Sequence, residues 1–242
     1  MGLWHVFYED WQMECCGTPF SVGDEVSWPL LLLDADTVLG GGWRDQLTEV
    51  AGPVTDLGGV RLVREATGLP VALGADPGAE EDRRPRPGSR TRTAGLLCVE
   101  RHGARWPEAS GRVRAVQVLT QTWTETAPGS RSYEPVAGKR ALRTVERCPR
   151  RFTETGGDRA ADGRARSSRE SGVVVTLDVP GTNSRLSHAV RRARGLPEQH
   201  TEPGAETRGI GAADLTALLE TLSTTTPPRQ PADRTRRRHA GT

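Results

Sequence analysis

Cys15, Cys16, Cys98 and His102 carry the sharpest chemistry in this sequence. Thiolate and imidazole are the usual ligands of tetrahedral zinc, and Cys98-x3-His102 can place two of them on one side of a turn. The adjacent pair Cys15-Cys16 fits less well, because neighbouring side chains in an extended segment face opposite ways. No CxxC knuckle is present. Cys148 and His5 are the available substitutes. The same residues offer a thiol nucleophile, which needs a histidine base within hydrogen-bond reach and donors for an oxyanion. Spacing puts neither His5 nor His102 beside Cys15 or Cys16, and Glu14 next door opposes thiolate formation. The structural alternative is a set of small buried thiols packing a tight turn.

Carboxylates and guanidinium groups supply the other candidates. Glu9, Asp10, Glu14, Asp24, Glu25, Asp34 and Asp36 crowd the N-terminal block, where paired carboxylates could hold a cation or move protons. Turns and a solvated face are the readier use for them, and Asp24 after Gly23 reads as a turn residue. Gly40-Gly41-Gly42 lacks the Lys-Ser/Thr partner that a phosphate loop needs. Arg112 and Arg114 on one strand, with Arg147, Arg150 and Arg151, are the nucleic-acid candidates. Arg191, Arg192 and Arg194 and the terminal Arg236-Arg237-Arg238 add to them. A β-barrel with exposed rings and an Arg-lined groove could bind single strands. Yet the rings lie in the acidic block, away in sequence from the Arg runs. One Lys stands against 32 Arg, a bias that a GC-rich genome explains, so Arg clusters carry little weight as a nucleic-acid signal.

These residues must be positioned by the apolar segments. Trp4, Phe7, Tyr8, Trp11, Phe20, Trp28 and Trp43 precede the first cation, Arg44, and mark where a core forms. Leu3 to Met13 reads as a strand with apolar groups on both faces, broken by Cys15 to Pro19. Val22, Val26, Trp28, Leu30 and Leu32 share the inner face of a second strand. Pro29 removes a ladder donor and puts that strand at an edge or a bulge. Short strands follow at Val60–Val63 and Gly95–Glu100. Gly111 to Trp123 is the clearest later strand, and its parity slip between Val113 and Val116 calls for a β-bulge. Another short strand falls around Ala141–Val145, and Gly172 to Val179 ends at Pro180-Gly181. A short helix over Arg185–Arg194 takes Ser184 as N-cap. Ala212 to Leu222 is a second helix, whose leucine stripe docks on the sheet or on a partner.

Stretches 74–94 and 154–171 show no apolar periodicity and read as disordered insertions. The expected division is a β-rich domain over 1–180, a helical extension over 181–223 and a disordered tail over 224–242. The fold class is mainly β: a small antiparallel barrel or curled sheet with one or two short C-terminal helices. Leu, Val, Ile and Phe make up 46 of 242 residues and the net charge is +2, which fits a compact core with long appendages. No signal peptide or membrane span is visible, so a cytoplasmic protein with reduced thiols is expected.

The stretch WQMECCGTPFSVGDEVSW, within the pattern W-x6-W-x3-CCG-x-PF-x-VGD-x-V-x-W from Trp4 to Trp28, is similar to the N-terminal signature of an actinobacterial family of uncharacterised proteins. His102-Gly103, the GRVRAVQV segment, Tyr133 with Pro135-Val136 and the VVVTLDV strand resemble it too. The family often carries His-His-Gly where this chain has Arg101-His102-Gly103. The resemblance implies no activity. No triad, metal motif or nucleotide loop meets a geometric requirement, so the reading is a non-enzymatic binding or interaction domain. Its partner is a protein or a nucleic acid and not a membrane, with no cofactor unless zinc. The alternatives are a nucleic-acid-binding barrel and a zinc protein or hydrolase.

Overall fold

The computed structural model describes residues 2–40, 43, 47–64, 68–74 and 85–195. In chain order these form β1 (Leu3–Glu9), α1 (Asp10–Cys16), β2 (Glu25–Trp28), β3 (Leu30–Leu33), α2 (Ala35–Leu39), β4 (Thr48–Leu57), β5 (Val60–Arg64), β6 (Pro70–Leu73) and β7 (Arg90–Val99). Then come β8 (Ala109–Glu125), β9 (Tyr133–Val145), β10 (Glu154–Arg159), β11 (Ala165–Asp178) and α3 (Arg185–Ala193). The protein is mainly β. The strands join in the order β2-β8-β11-β1-β7-β3-β6-β5-β4, with β9 on β8 and β10 on β11. β4 also pairs with β7, so β7-β3-β6-β5-β4 returns on itself as a ring. Among the described residues no helix is long and apolar enough to cross a membrane.

The first and last strands are neighbours. β1 runs antiparallel to β11 from Leu3↔Asp178 to Glu9↔Gly172. Alternation along β1 then feeds two cores, one per face. Trp4, Val6 and Tyr8 join Trp28, Leu30, Leu97, Val99, Val116, Val173 and Val175 on one side. Phe7 joins Leu96, Cys98, Leu119 and Val174 on the other, beneath Ala35 and Leu39 of α2 and the ring of Trp43.

Among the described residues, Leu3 lies where β1 has no strand on its second side. Its N–H donates to Ser187 Oγ at 2.7 Å and its carbonyl accepts from Ser184 Oγ. Two helix-borne hydroxyls thus stand in for a missing ladder, because a buried backbone pair left without partners is costly. Ser184 is also the N-cap of α3, accepting from Ser187 N, as its sequence position predicts.

Several expectations are met in detail. The bulge in β8 falls at Arg114: Val113 faces Leu177, Ala115 faces Thr176, and Arg114 has no opposite number. Its released side chain grips Asp178 through Nε and Nη2, at 3.1 and 2.7 Å. Pro29 divides the second strand into β2, which pairs with β8, and β3, which pairs with β6 and β7. The missing donor is where the chain changes ladders.

Other expectations are corrected. The first strand stops at Glu9, and Asp10 to Cys16 coil into α1. Asp10 stands in the first turn, where the helix dipole favours an anion. Trp11 therefore leaves the core and is 47% exposed. The stretch 154–171 is not a loop: β10 and the start of β11 form an antiparallel hairpin through it. Every residue of β10 is exposed, so no apolar alternation marked it. Arg90–Ala94, the end of the first expected insertion, instead lengthens β7 against β4. Residues 75–84, the Ala212–Leu222 helix and the 224–242 tail lie outside the described residues.

Gly172 closes the β1–β11 ladder with φ +134, and a Cβ there would collide with the Tyr8 carbonyl. Gly172→Ala is expected to destabilise the protein by about 3 kcal/mol in urea unfolding, from backbone strain and this clash together.

Candidate functional site

The sheet separates the residues that the sequence groups as metal ligands. Cys98 sits on the parity of β7 opposite to Val99 and is buried in the second core, under α2. Its thiol donates to the Leu96 carbonyl, and burial drives its pKa far up. Cys15 and Cys16 lie exposed at the end of α1. His102 is in the turn after β7, its ring edge-on to Trp11 at 5.9 Å between centroids. Among the described residues no three His, Cys, Asp or Glu side chains are placed to hold one cation. Of the two substitutes, His5 is held in β1 opposite Thr176. Cys148 is buried, its N–H on the Phe20 carbonyl at 2.8 Å and its thiol pushed by burial to about 12.

The structure does bring Cys15, Cys16, His102, Arg150 and Arg151 toward one end of the sheet. α1 leaves β1 there, and the turns after β7 and β9 meet it. Gln12 makes this join. It is 1% exposed, donates through Nε2 to the Val99 carbonyl at 3.0 Å, and accepts at Oε1 from Arg101 N–H at 2.7 Å. The same Nε2 reaches Glu9 at 3.2 Å. Phe152 N–H donates to Glu14 at 3.0 Å, tying the loop of Arg150 and Arg151 to the helix. Sequence reasoning gave Gln12 no role, because a lone glutamine in an assumed strand carries no signal.

Beside this join lies a cleft lined by Thr18, Phe20, Asp24, Ser27, Trp28 and Arg101. Two rings, Phe20 and Trp28, line it, and Tyr8 packs against both. Trp28 meets Phe20 edge-on at 5.0 Å and Tyr8 edge-on at 5.5 Å, and Tyr8 stacks on Phe20 at 6.2 Å. Asp24 fixes the wall by accepting from Ser21 N–H at 2.8 Å.

Tyr8 is 1% exposed and its hydroxyl has no hydrogen-bond partner among the described residues. Burial raises its pKa. The Arg101 charge opposes that rise, while Cys16, Cys148 and Cys15 add to it. Arg101 itself is exposed, and its main chain is pinned by Gln12.

The basic candidates divide. Arg112 is engaged with Glu25 at 2.8 Å and Arg114 with Asp178 at 2.7 Å. Arg150 and Arg151 are exposed in the loop before β10. The acidic block is used largely for local structure. Asp34 caps α2, and the Thr37 hydroxyl beside it holds its carboxyl below the usual range.

No curated protein matches this chain, and no solved structure does. A family model described as a family of unknown function, DUF6578, matches residues 2–179, from the start of β1 to the end of β11. The ladder of β1 on β11 and everything between them therefore make up the matched region, and the chain belongs to this family of unknown function.

Proposed function

We propose that this chain is a non-enzymatic binding domain whose ligand is a small organic anion with a flat apolar part. The cleft beside α1 receives it. Arg101 takes the anionic group, and the edges of Phe20 and Trp28 take the apolar part. The observation that carries this reading is the shared lining of Arg101, Phe20 and Trp28, with the Tyr8 ring packed edge-on to Trp28 and its buried hydroxyl without a partner among the described residues. An unmade hydrogen bond of this kind costs about 1–3 kcal/mol. An oxygen of the ligand, seated on Arg101, is the acceptor that the hydroxyl lacks.

The ring β7-β3-β6-β5-β4 is read as the wall of a small barrel that holds the cleft steady. The matched region, extended to about residue 180, is read as the whole β-rich domain. Four free thiols favour a reducing compartment. The nucleic-acid reading draws less support, because Arg112 and Arg114 would have to leave Glu25 and Asp178 to reach phosphate. A catalytic reading draws less as well. The hydrogen-bond partners of the exposed thiols are the Gln12 carbonyl and each other, not an imidazole.

Anilinonaphthalene sulfonate, a flat apolar anion, tests the site. It is expected to bind the folded protein saturably, and Arg101→Ala is expected to weaken it about tenfold, the worth of one charged contact of roughly 1.4 kcal/mol. Equal binding by Arg101→Ala overturns the assignment. Tyr8→Phe is expected to raise unfolding free energy by about 1 kcal/mol, since it removes a buried group with no partner. The same substitution should weaken the dye, so stability and affinity move in opposite directions. Loss of stability in Tyr8→Phe would show that the hydroxyl is already satisfied.

A further inference from the structure

Cys15 and Cys16 stand side by side on the last turn of α1, both exposed. Their sulfurs are 2.7 Å apart. Adjacent side chains on a helix diverge by about 100°, so two such sulfurs meet only if both turn toward a common point. The Gln12 carbonyl is that point: it lies 3.6 Å from Cys15 Sγ and 3.3 Å from Cys16 Sγ. Gln12 is also the residue that anchors α1 to the end of β7. The near half of the helix is therefore fixed, while the half that bears the thiols ends at Gly17, already extended at φ −77, ψ 151.

We propose that Cys15 and Cys16 form a reversible dithiol pair that closes to a vicinal disulfide by exchange with a low-molecular-weight disulfide. The Cys15 thiol gives its proton to water, and its sulfur attacks one sulfur of the reagent. The reagent's S–S bond breaks, and its other half leaves as a thiolate that takes up a proton. Cys16 then loses its proton and attacks Cys15 Sγ, which expels the second half as a thiol. The protein pair is oxidised by two electrons, and the reagent disulfide is reduced to two thiols.

Three features support this assignment. The sulfurs already touch, so the second step needs no search. Both thiols are exposed on the last turn of α1, where a small disulfide can reach either of them. The other two thiols, Cys98 and Cys148, are buried with raised pKa values and are protected from the same reagent. Closing the ring draws the last helical turn out of α geometry and shifts Thr18, which lines the cleft. That consequence rests on the binding reading; the disulfide itself does not.

Full-length protein incubated with oxidised glutathione, then alkylated and digested, tests the pair by peptide mass. The expected result is a peptide spanning Cys15 and Cys16 that has lost two hydrogens and takes no alkyl group. Cys98 and Cys148 should be alkylated once the chain is unfolded, and dithiothreitol should restore both N-terminal thiols. Cys15→Ser and Cys16→Ser should each stop at a stable mixed disulfide with glutathione. A wild-type chain in which both thiols stay alkylatable, or which holds glutathione on either one, overturns the proposal. Dye binding by the reduced protein is read separately, so loss of one reading does not remove the other.

Discussion

The pairing of β1 with β11 is the constraint on which the rest depends. It joins the start of the chain to a segment about 170 residues away, from Leu3↔Asp178 to Glu9↔Gly172. Its register decides which side chains of β1 enter which core. A slip of one residue would send Trp4, Val6 and Tyr8 to the face of Phe7 and reverse both cores. Gly172 permits the close approach at one end of the ladder. Asp178 ties the other end, accepting from Gly2 N–H at 3.1 Å and from the bulged Arg114. Such a long-range closure is slow to find in folding but is rewarded by burial of the whole aromatic block.

The site inherits its geometry from that ladder. With β1 fixed, Tyr8 points into the first core, and the chain leaves the sheet at Glu9 to form α1. Gln12 then carries the position of α1 across to β7 and holds Arg101 beside the cleft. Phe20 and Trp28 are placed by a second route, through the 20–22 segment on 146–148 and through β2 on β8. The cleft is where these two routes meet. Thr18, Phe20, Asp24 and Arg101 reach it from turns and Ser27 and Trp28 from β2, so loop chemistry sits against a paired strand.

Much of the fold was legible because its signals are local and physical. Pro29 removes a donor, and the ladder changes partners there. The parity slip before Val116 is a bulge at Arg114. Ser184 caps a helix, and the Val-rich run 173–177 is strand, although β11 already begins at Ala165. The hairpin over 154–171 was illegible for an equally physical reason. β10 is exposed throughout, so it is held by backbone pairing and needs no apolar pattern. The turn into α1 was hidden because Trp11 and Met13 continue the parity of Phe7, although only Met13 is buried. Parity shows that Cys98 and Val99 face opposite ways on β7. It does not show which of the two faces α1, and that choice decides whether Cys98 can join Cys15 and Cys16. Gln12 and the unpartnered Tyr8 hydroxyl are visible only once the strands are placed.

Native-state hydrogen exchange on the amides of Val6, Tyr8, Val173 and Val175 tests the central ladder most directly. The account predicts that all four exchange only through global unfolding, with a common free energy equal to that of the whole domain. Exchange of Val6 and Tyr8 within minutes, while the Val116 and Val118 amides of β8 stay protected, would show that the N-terminal strand is not held in this sheet.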